Sequence, residues 1–403
     1  MSELLIARQP IFNRDLDVVA YELLYRSVQD KQNAKVIDGD FATTQVIVNT
    51  FSDIGLKGIV GNKIAFINMT RNFLVGNIPI PFAPNQVILE VLENIEVDTE
   101  VIQGVNGLAM DGYTIALDDV ISTKQTASLM DAANIIKIDL MGVSKTELPH
   151  LVSHFKMYGQ KLLAEKVETA AEYEYCYKLG FDLFQGYFLC KPKLVKGQRL
   201  DSTRLVLLRS LSKLQDPEAT FESVEEVIGT DVNLGYKLLK LVNSAYYFMS
   251  SEIKSIRQAV AIIGFEQLRG WITLLLMMSV QNKPHELTVI ALQRARMCEM
   301  IAKAAGYKDP ESYFLAGMLT VLDALMDMPM AEIVEKLSLS PEIVDGILYK
   351  KGKIGQVLEA ILLYERGEMG EVFKTNIPTV VMKGIFLDSI EWVTDVLSKV
   401  KEE

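Results

Sequence analysis

Histidine is scarce in this 403-residue chain. There are three, His150, His154 and His285, and none stands beside the acids that end the apolar runs, which argues against a zinc site. Cysteine is equally rare. Cys176, Cys190 and Cys298 show no ligand spacing and no pairing pattern, as expected of a reducing cytoplasm. Long hydrophobic runs are missing too. The longest, Trp271 to Met278, is about half of what a membrane span needs, and Met1 to Leu5 lacks the basic start and apolar core of a signal peptide. The expectation is a cytoplasmic protein without a membrane partner. An excess of positive charge is also absent: 41 Lys and Arg stand against 52 Asp and Glu, a net charge of −11. That argues against broad nucleic-acid binding by phosphate neutralisation, though not against a small anionic ligand held by a metal and a few cations.

The chain does have a globular composition, 49% hydrophobic and 23% charged, and a length that suggests two domains. Its first half repeats one pattern. Tyr113 to Leu117 reads as a short buried strand ending in Asp118 and Asp119. Val18 to Tyr21 runs into Glu22, Lys63 to Ile67 into Asn68, and Gln86 to Leu89 into Glu90. Ile135 to Ile138 encloses Lys137 and runs into Asp139; Lys161 to Ala164 runs into Glu165, and Leu183-Phe184 into Gln185. Short apolar runs bounded by polar residues suit strands buried on both faces. Helical stretches at 42–54, 98–110 and 170–179 alternate with them, which implies parallel βαβ units. Seven or eight such strands favour a barrel, whose strand C-termini converge on one face. From about residue 200 the alternation stops. Helical patterns follow at 205–214, 221–229, 233–243, 255–263, 265–280, 286–305, 310–326, 341–349, 357–366 and 380–400, an all-α second half.

Adjacent carboxylates repel, and a divalent cation relieves the repulsion. Carboxylates, an amide oxygen and water make a hard oxygen site suited to Mg²⁺ or Mn²⁺. A pair of such metals in a carboxylate site most often cleaves phosphate esters. On this reading Lys137 steadies developing charge or a nucleophilic water; alternatively it lines the barrel, paired with Asp118 or Asp139. Arg26, placed one helical turn past Glu22, is a candidate to hold a phosphate oxygen.

These segments, taken in order, resemble the EAL domain, a barrel that hydrolyses cyclic-di-GMP to the linear dinucleotide. The resemblance runs through Gln9-Pro10-Ile11, Tyr21-Glu22-Leu23-Leu24-Tyr25-Arg26, Phe66-Ile67-Asn68 and Leu89-Glu90-Val91-Leu92-Glu93. It continues through Leu117-Asp118-Asp119, Lys137-Ile138-Asp139, Ala164-Glu165-Lys166-Val167-Glu168-Thr169 and Phe184-Gln185-Gly186-Tyr187. It implies a TIM-like α/β barrel over residues 1–195. It also implies that Glu22, Asn68, Glu90, Asp118 and Asp119 bind metal, and that Lys137 and Glu165 orient and deprotonate the attacking water. By the same resemblance Arg26 contacts the ligand phosphate, Gln185 completes the pocket and Glu168 holds the loop after the paired aspartates. Two departures stand out. Lys166 replaces a Gly, and Val120-Ile121-Ser122-Thr123-Lys124 replaces a Phe-Gly-Thr-Gly-Tyr loop, removing the glycines that let it fold tightly over the metals.

Leu238 to Tyr247, then Ile253 to Ala259 followed by Gly264, Leu268, Arg269 and Trp271, resemble the HDOD domain over residues 200–403. HDOD is a relative of the metal-dependent HD hydrolases that lacks their catalytic set. Thr320-Val321 stand where such a hydrolase would carry His-Asp, so this half is expected to bind no metal and to serve regulation or scaffolding. Asn243, Ser244, Ser255 and Arg257 are expected to fix interhelical turns, and Trp271, Met277 and Met278 to lie in the core. Two functions follow for the whole chain. One is a metal-dependent cyclic-di-GMP phosphodiesterase, slow because of its altered loop and regulated by the helical half. The other is a non-catalytic cyclic-di-GMP-binding effector that relays to a protein partner through the HDOD half. The resemblance names neither that partner nor the oligomeric state, and leaves a homo-oligomer open.

Overall fold

The computed structural model describes residues 4–27, 55–121, 127–190, 202–216, 218–229, 232–242, 255–280, 283–368 and 379–401. The helix expected at 42–54 lies outside them. The chain divides into two units, Met1–Leu189 with Tyr364–Gly370, and Cys190–Leu363 with Glu371–Glu403.

The first unit is a closed eight-stranded barrel. Its strands are β1 (Leu4–Phe12), β2 (Val18–Ser27), β3 (Ile64–Met69), β4 (Val87–Val91), β5 (Thr114–Leu117), β6 (Ile135–Asp139), β7 (Lys161–Glu165) and β8 (Leu183–Gln185). Between them lie helices α1 (Leu56–Val60), α2 (Arg71–Leu74), α3 (Thr99–Met110), α4 (Leu148–Met157) and α5 (Ala170–Leu179). The sheet is not wholly parallel. β1 pairs antiparallel with both β2 and β8, while every other neighbour pair is parallel. The sequence pattern did not show β1 as a strand, because Arg8, Gln9 and Pro10 interrupt its apolar run. Proline inside a run ordinarily signals an edge position, and β8 reaches only Ile11 and Phe12 of β1.

The barrel interior is layered. Strand side chains alternate between the lumen and the outer face. One lumen layer is Ile11, Ala20, Phe66, Ile88, Ala116, Ile135 and Leu163, with Leu183 packed against it. Two positions further along each parallel strand stand Glu22, Asn68, Glu90, Asp118, Lys137, Glu165 and Gln185. On antiparallel β1 the matching position is two residues earlier, Gln9. An apolar floor therefore carries a polar layer at the C-terminal end of the parallel strands, where barrels of this type place their chemistry. The intervening residues Ile67, Leu89, Ile115, Ile136, Ile138, Leu162 and Ala164 are buried on the other face.

The second unit is helical throughout its described residues. Its elements are α6 (Ser202–Gln215), α7 (Phe221–Ile228), α8 (Val232–Val242), α9 (Ile256–Ile263), α10 (Phe265–Met278) and α11 (His285–Ala304). They continue as α12 (Pro310–Leu319), α13 (Leu322–Met326), α14 (Met330–Val334), α15 (Pro341–Tyr349), α16 (Gly352–Glu365) and α17 (Thr379–Lys401). Helix α14 was not foreseen, and the single helix expected over 310–326 is broken at Thr320-Val321. The Thr320 hydroxyl donates to the Gly317 carbonyl at 2.7 Å, and Val321 leaves the helical conformation with its side chain fully buried. Gly317 lets α12 pass close to α11: a Cβ there would meet the Arg294 carbonyl oxygen at 2.6 Å. Trp271, Phe314 and Trp392 pack together, with the Trp271 and Trp392 rings 5.7 Å apart and Phe314 edge-on to Trp392 at 6.1 Å. Trp271 and Met277 are buried and Met278 half-buried, in line with their expected place in the core. Ser255 caps α9 by accepting the Gln258 N–H, and Arg257 lies over the Phe221 ring at 4.8 Å. Asn243 and Ser244 lie outside the described residues. Among those residues no helix is long and apolar enough to cross a membrane, and Cys176, Cys190 and Cys298 form no disulfide.

Candidate metal centre at the barrel mouth

Lys137 is the centre of the polar layer. It is fully buried, and its Nζ lies 2.6 Å from Glu90 Oε1, 2.7 Å from Asp118 Oδ1, 3.0 Å from Glu165 Oε1 and 3.5 Å from Glu22 Oε2. Of the two partners expected for it, Asp118 is engaged. Asp139, one step nearer the mouth on the same face of β6, pairs instead with Lys166, whose Nζ is 2.5 Å from Asp139 Oδ2. Gln185 is buried and donates from Nε2 to Glu22 Oε2 at 2.6 Å and to Gln9 Oε1 at 3.0 Å. Gln9 was not singled out as a site residue. The lumen alternation on β1 and its pairing opposite Glu22 are the signals that would have found it.

Asp118 and Asp119 reach the cluster through a backbone kink. Asp118 N–H still bonds to Val91 and Val120 N–H to Lys137, while Asp119 between them is left-handed at φ 44°. Aspartate tolerates that conformation better than most residues. One oxygen each from Asp118, Asp119 and Glu165 lie within 4.8 Å of one another. The turn after β8 needs its glycine: a Cβ on Gly186 would meet Val167 O at 2.2 Å, and Val167 N–H bonds back to Gln185 O.

Two expected site residues are not brought into this cluster by the described contacts. Arg26 lies on strand β2, opposite Leu5, and not a helical turn from Glu22. The segment Val18–Ser27 forms one arm of a hairpin with β1, so four residues span roughly 13 Å rather than one helical turn; the Arg26 side chain lies outside the described residues. Glu168 is exposed at the start of α5, its N–H donating to Glu172 Oε2 at 2.8 Å. The loop it was expected to hold runs into 122–126, which is not described.

The electrostatics are unbalanced. Burial pushes the Glu90 carboxyl well above its ordinary pKa, with repulsion from Glu22 and Asp118 added and Lys137 opposing. Burial, opposed by Lys137 and aided by Asp118 and Glu22, pushes Glu165 up to about 8. Asp119 is raised by burial first and by Asp118 next. Burial disfavours the Lys137 charge, but Glu165, Glu22, Glu90 and Asp118 outweigh it and hold its pKa well above the ordinary lysine value. Four carboxylates thus share one ammonium.

Hydrogen bonding is also incomplete. Asn68 Oδ1, Glu90 Oε2 and Glu165 Oε2 are buried without a hydrogen-bond donor, while Glu90 Oε1 and Asp118 Oδ1 have only the shared Lys137 ammonium. Buried polar atoms in this state are costly. An all-oxygen donor set with surplus negative charge is what a hard divalent cation takes, so the residues present fit such an ion.

Comparison with known proteins agrees with this geometry. The EAL domain profile matches residues 78–192 and the HDOD domain profile residues 200–369. Uncharacterized protein YuxH of Bacillus subtilis (strain 168) is 36% identical over 370 residues, covering 89% of this chain and 90% of YuxH. Cyclic di-GMP phosphodiesterase CdgJ of Vibrio cholerae serotype O1 is 30% identical over 367 residues, covering 90% of this chain and 85% of CdgJ. The chain belongs to the EAL–HDOD family. Its EAL barrel is also similar to the solved manganese/cy-diGMP complex of Klebsiella pneumoniae BlrP1, at 23% identity and a TM-score of 0.37 over 46% of this chain and 54% of that one. The profile match to EAL begins after Glu22 and Asn68, so those two join the site through the barrel's layering and not through the matched span.

Proposed function

We propose that the EAL barrel is a divalent-metal-dependent cyclic-di-GMP phosphodiesterase, with the HDOD half regulating it or docking a protein partner. The observation that carries this reading is the buried ring of Glu22, Glu90, Asp118 and Glu165 around Lys137, with unpartnered oxygens at the C-terminal mouth of the barrel. The kinship with a phosphodiesterase of the same two-domain build supports the substrate. In this reading Glu22, Asn68, Glu90, Asp118 and Asp119 hold Mg²⁺ or Mn²⁺. Bound divalent ions supply charge stabilisation at phosphate oxygens and ease the deprotonation of water.

The chain's own groups do the rest. Glu165, once ionised, accepts the proton of the attacking water as general base. Lys137 holds the acids together and carries positive charge toward the developing negative charge on phosphate. Gln185 fixes Glu22 through its amide, and Gln9 fixes Gln185. Arg26 contacts the ligand phosphate and Glu168 steadies the loop after Asp119. Residues 1–195 form the catalytic domain and 200–403 the regulatory one, in a cytoplasmic protein. Incubation of the full chain with Mn²⁺ and cyclic-di-GMP, with products resolved over hours, is expected to yield the linear dinucleotide; none after complete metal loading would refute catalysis.

A second reading, a binding effector with no turnover, draws on the sequence after Asp119. Ile121 and Thr123 stand where glycine would give the loop freedom, and the Val120 N–H is bonded to the Lys137 carbonyl. A displacement near 1 Å of the acids costs about 100-fold in rate while leaving binding largely intact. Cyclic-di-GMP bound without product would favour this reading.

A further inference from the structure

Lys166 directly follows Glu165, and its backbone is left-handed at φ 54°. The Gly of the resembled segment adopts that conformation freely, whereas a side chain makes it strained. Such strain persists where the surroundings hold it in place. Here the side chain reaches the end of the neighbouring strand β6, where Asp139 pairs in register with Glu165, with Nζ at 2.5 Å from Asp139 Oδ2. The other Asp139 oxygen accepts the Met141 N–H at 2.8 Å, so both Asp139 oxygens are engaged. Asp119, which shares the oxygen cluster with Asp118 and Glu165, is the second carboxylate whose charge attracts Lys166.

The mouth is thus divided. On the inner side, Glu90, Glu165 and Asn68 present oxygens without donors. Beside Asp139, and within electrostatic reach of Asp119, a cation belonging to the chain is already in place. We propose that the Lys166 ammonium takes the electrostatic place of a second divalent ion, so that this acid cluster binds one such ion instead of two. The proposal rests on the reading of the cluster as a metal centre. It makes Lys166 a positioning residue: it acts through Asp139 and Asp119 and needs no contact with substrate. A single-ion site keeps the charge that binds a phosphodiester but loses the two-sided clamp on attacking and leaving oxygens, which deepens the expectation of slow turnover.

The test is Mn²⁺ titration of the full chain, with free Mn²⁺ read by electron paramagnetic resonance. Wild type is expected to bind about one ion. Lys166→Gly removes both charge and strain, and Lys166→Met removes the charge alone; each is expected to bind about two. Lys166→Arg keeps the charge and is expected to stay at one. Circular dichroism confirms that each variant is folded, and the Met variant carries the test should the Gly variant fail to fold. Two ions on wild type, or one ion on both the Gly and Met variants, overturns the proposal and leaves the metal centre standing. No Mn²⁺ on wild type refutes the metal centre itself, and the proposal with it.

Discussion

The two halves of this chain treat buried polarity in opposite ways. At the barrel mouth, four carboxylates crowd one lysine and several oxygens lack donors. In the helical half, Thr320 and Val321 stand where an HD hydrolase would carry His-Asp. There Thr320 donates to Gly317 O, accepts from Arg294 Nη1 at 3.1 Å, and Val321 is simply core. In the helical half these two positions serve packing; the barrel mouth keeps an arrangement that packing alone would not favour. A fold retains unsatisfied buried charge chiefly where a ligand or reaction uses it, so the contrast supports the proposed placing of the chemistry in the first half.

The comparison breaks most visibly at Lys137. Lys137→Met removes the one cation that the surrounding acids share. The uncompensated charge is expected to destabilise the barrel by about 3–5 kcal/mol, measured by denaturant unfolding, with saturating Mn²⁺ recovering part of the loss. A variant as stable as wild type without metal would mean that the acids do not depend on Lys137.

Next in size is the catalytic split. Glu165→Gln is expected to lower hydrolysis by 10²-fold or more, on the order of a lost general base, while nucleotide binding stays within a few-fold. Glu22→Ala removes a ligand and the Gln185 contact, so binding and hydrolysis both fall. Equal losses of binding in the two variants would deny Glu165 its separate role.

The pH response is smaller but has a definite sign. Glu165 titrates at about 8 in the folded chain against an ordinary 4.5. The folded state therefore keeps a proton that the unfolded state has released, so stability falls as pH rises from about 4.5 to about 8 and levels off above. Glu90, raised in the same direction by burial, adds to the trend. Thermal unfolding in EDTA is expected to show Tm declining across that window. Mn²⁺ displaces those protons and is expected to flatten the decline. A metal-free Tm that rises with pH would contradict the charge imbalance.

The smallest effect lies in the other half. Thr320→Val removes the hydroxyl that joins Gly317 and Arg294, at a cost of about 1 kcal/mol, with metal binding and barrel activity unchanged.

Much of the site was legible because a lumen position recurs every second residue. Each short apolar run but one ended in the polar residue that the barrel turns inward, β6 carrying its Lys137 inside the run, and Glu22, Asn68, Glu90, Asp118, Lys137, Glu165 and Gln185 occupy one layer as a result. What escaped were features set by pairing across the closed sheet. Strand β1 was hidden by Arg8 and Pro10, and with it Gln9. Arg26 was read in a helical period where the hairpin imposes a strand's. The partner of Asp139 depended on a backbone turn at Lys166 that no periodicity encodes. In the helical half, apolar spacing marked most helices, yet the break at Thr320 follows from one side-chain hydroxyl and a buried valine, which leave the hydrophobic pattern continuous.

Calorimetric titration of cyclic-di-GMP into the full chain, with Mn²⁺ and again with EDTA, tests the central claim most directly. The account predicts binding with Mn²⁺ that disappears in EDTA and in Glu90→Gln, while Thr320→Val binds as wild type does. Binding indifferent to metal and to Glu90, or no binding at any concentration of Mn²⁺, would contradict it.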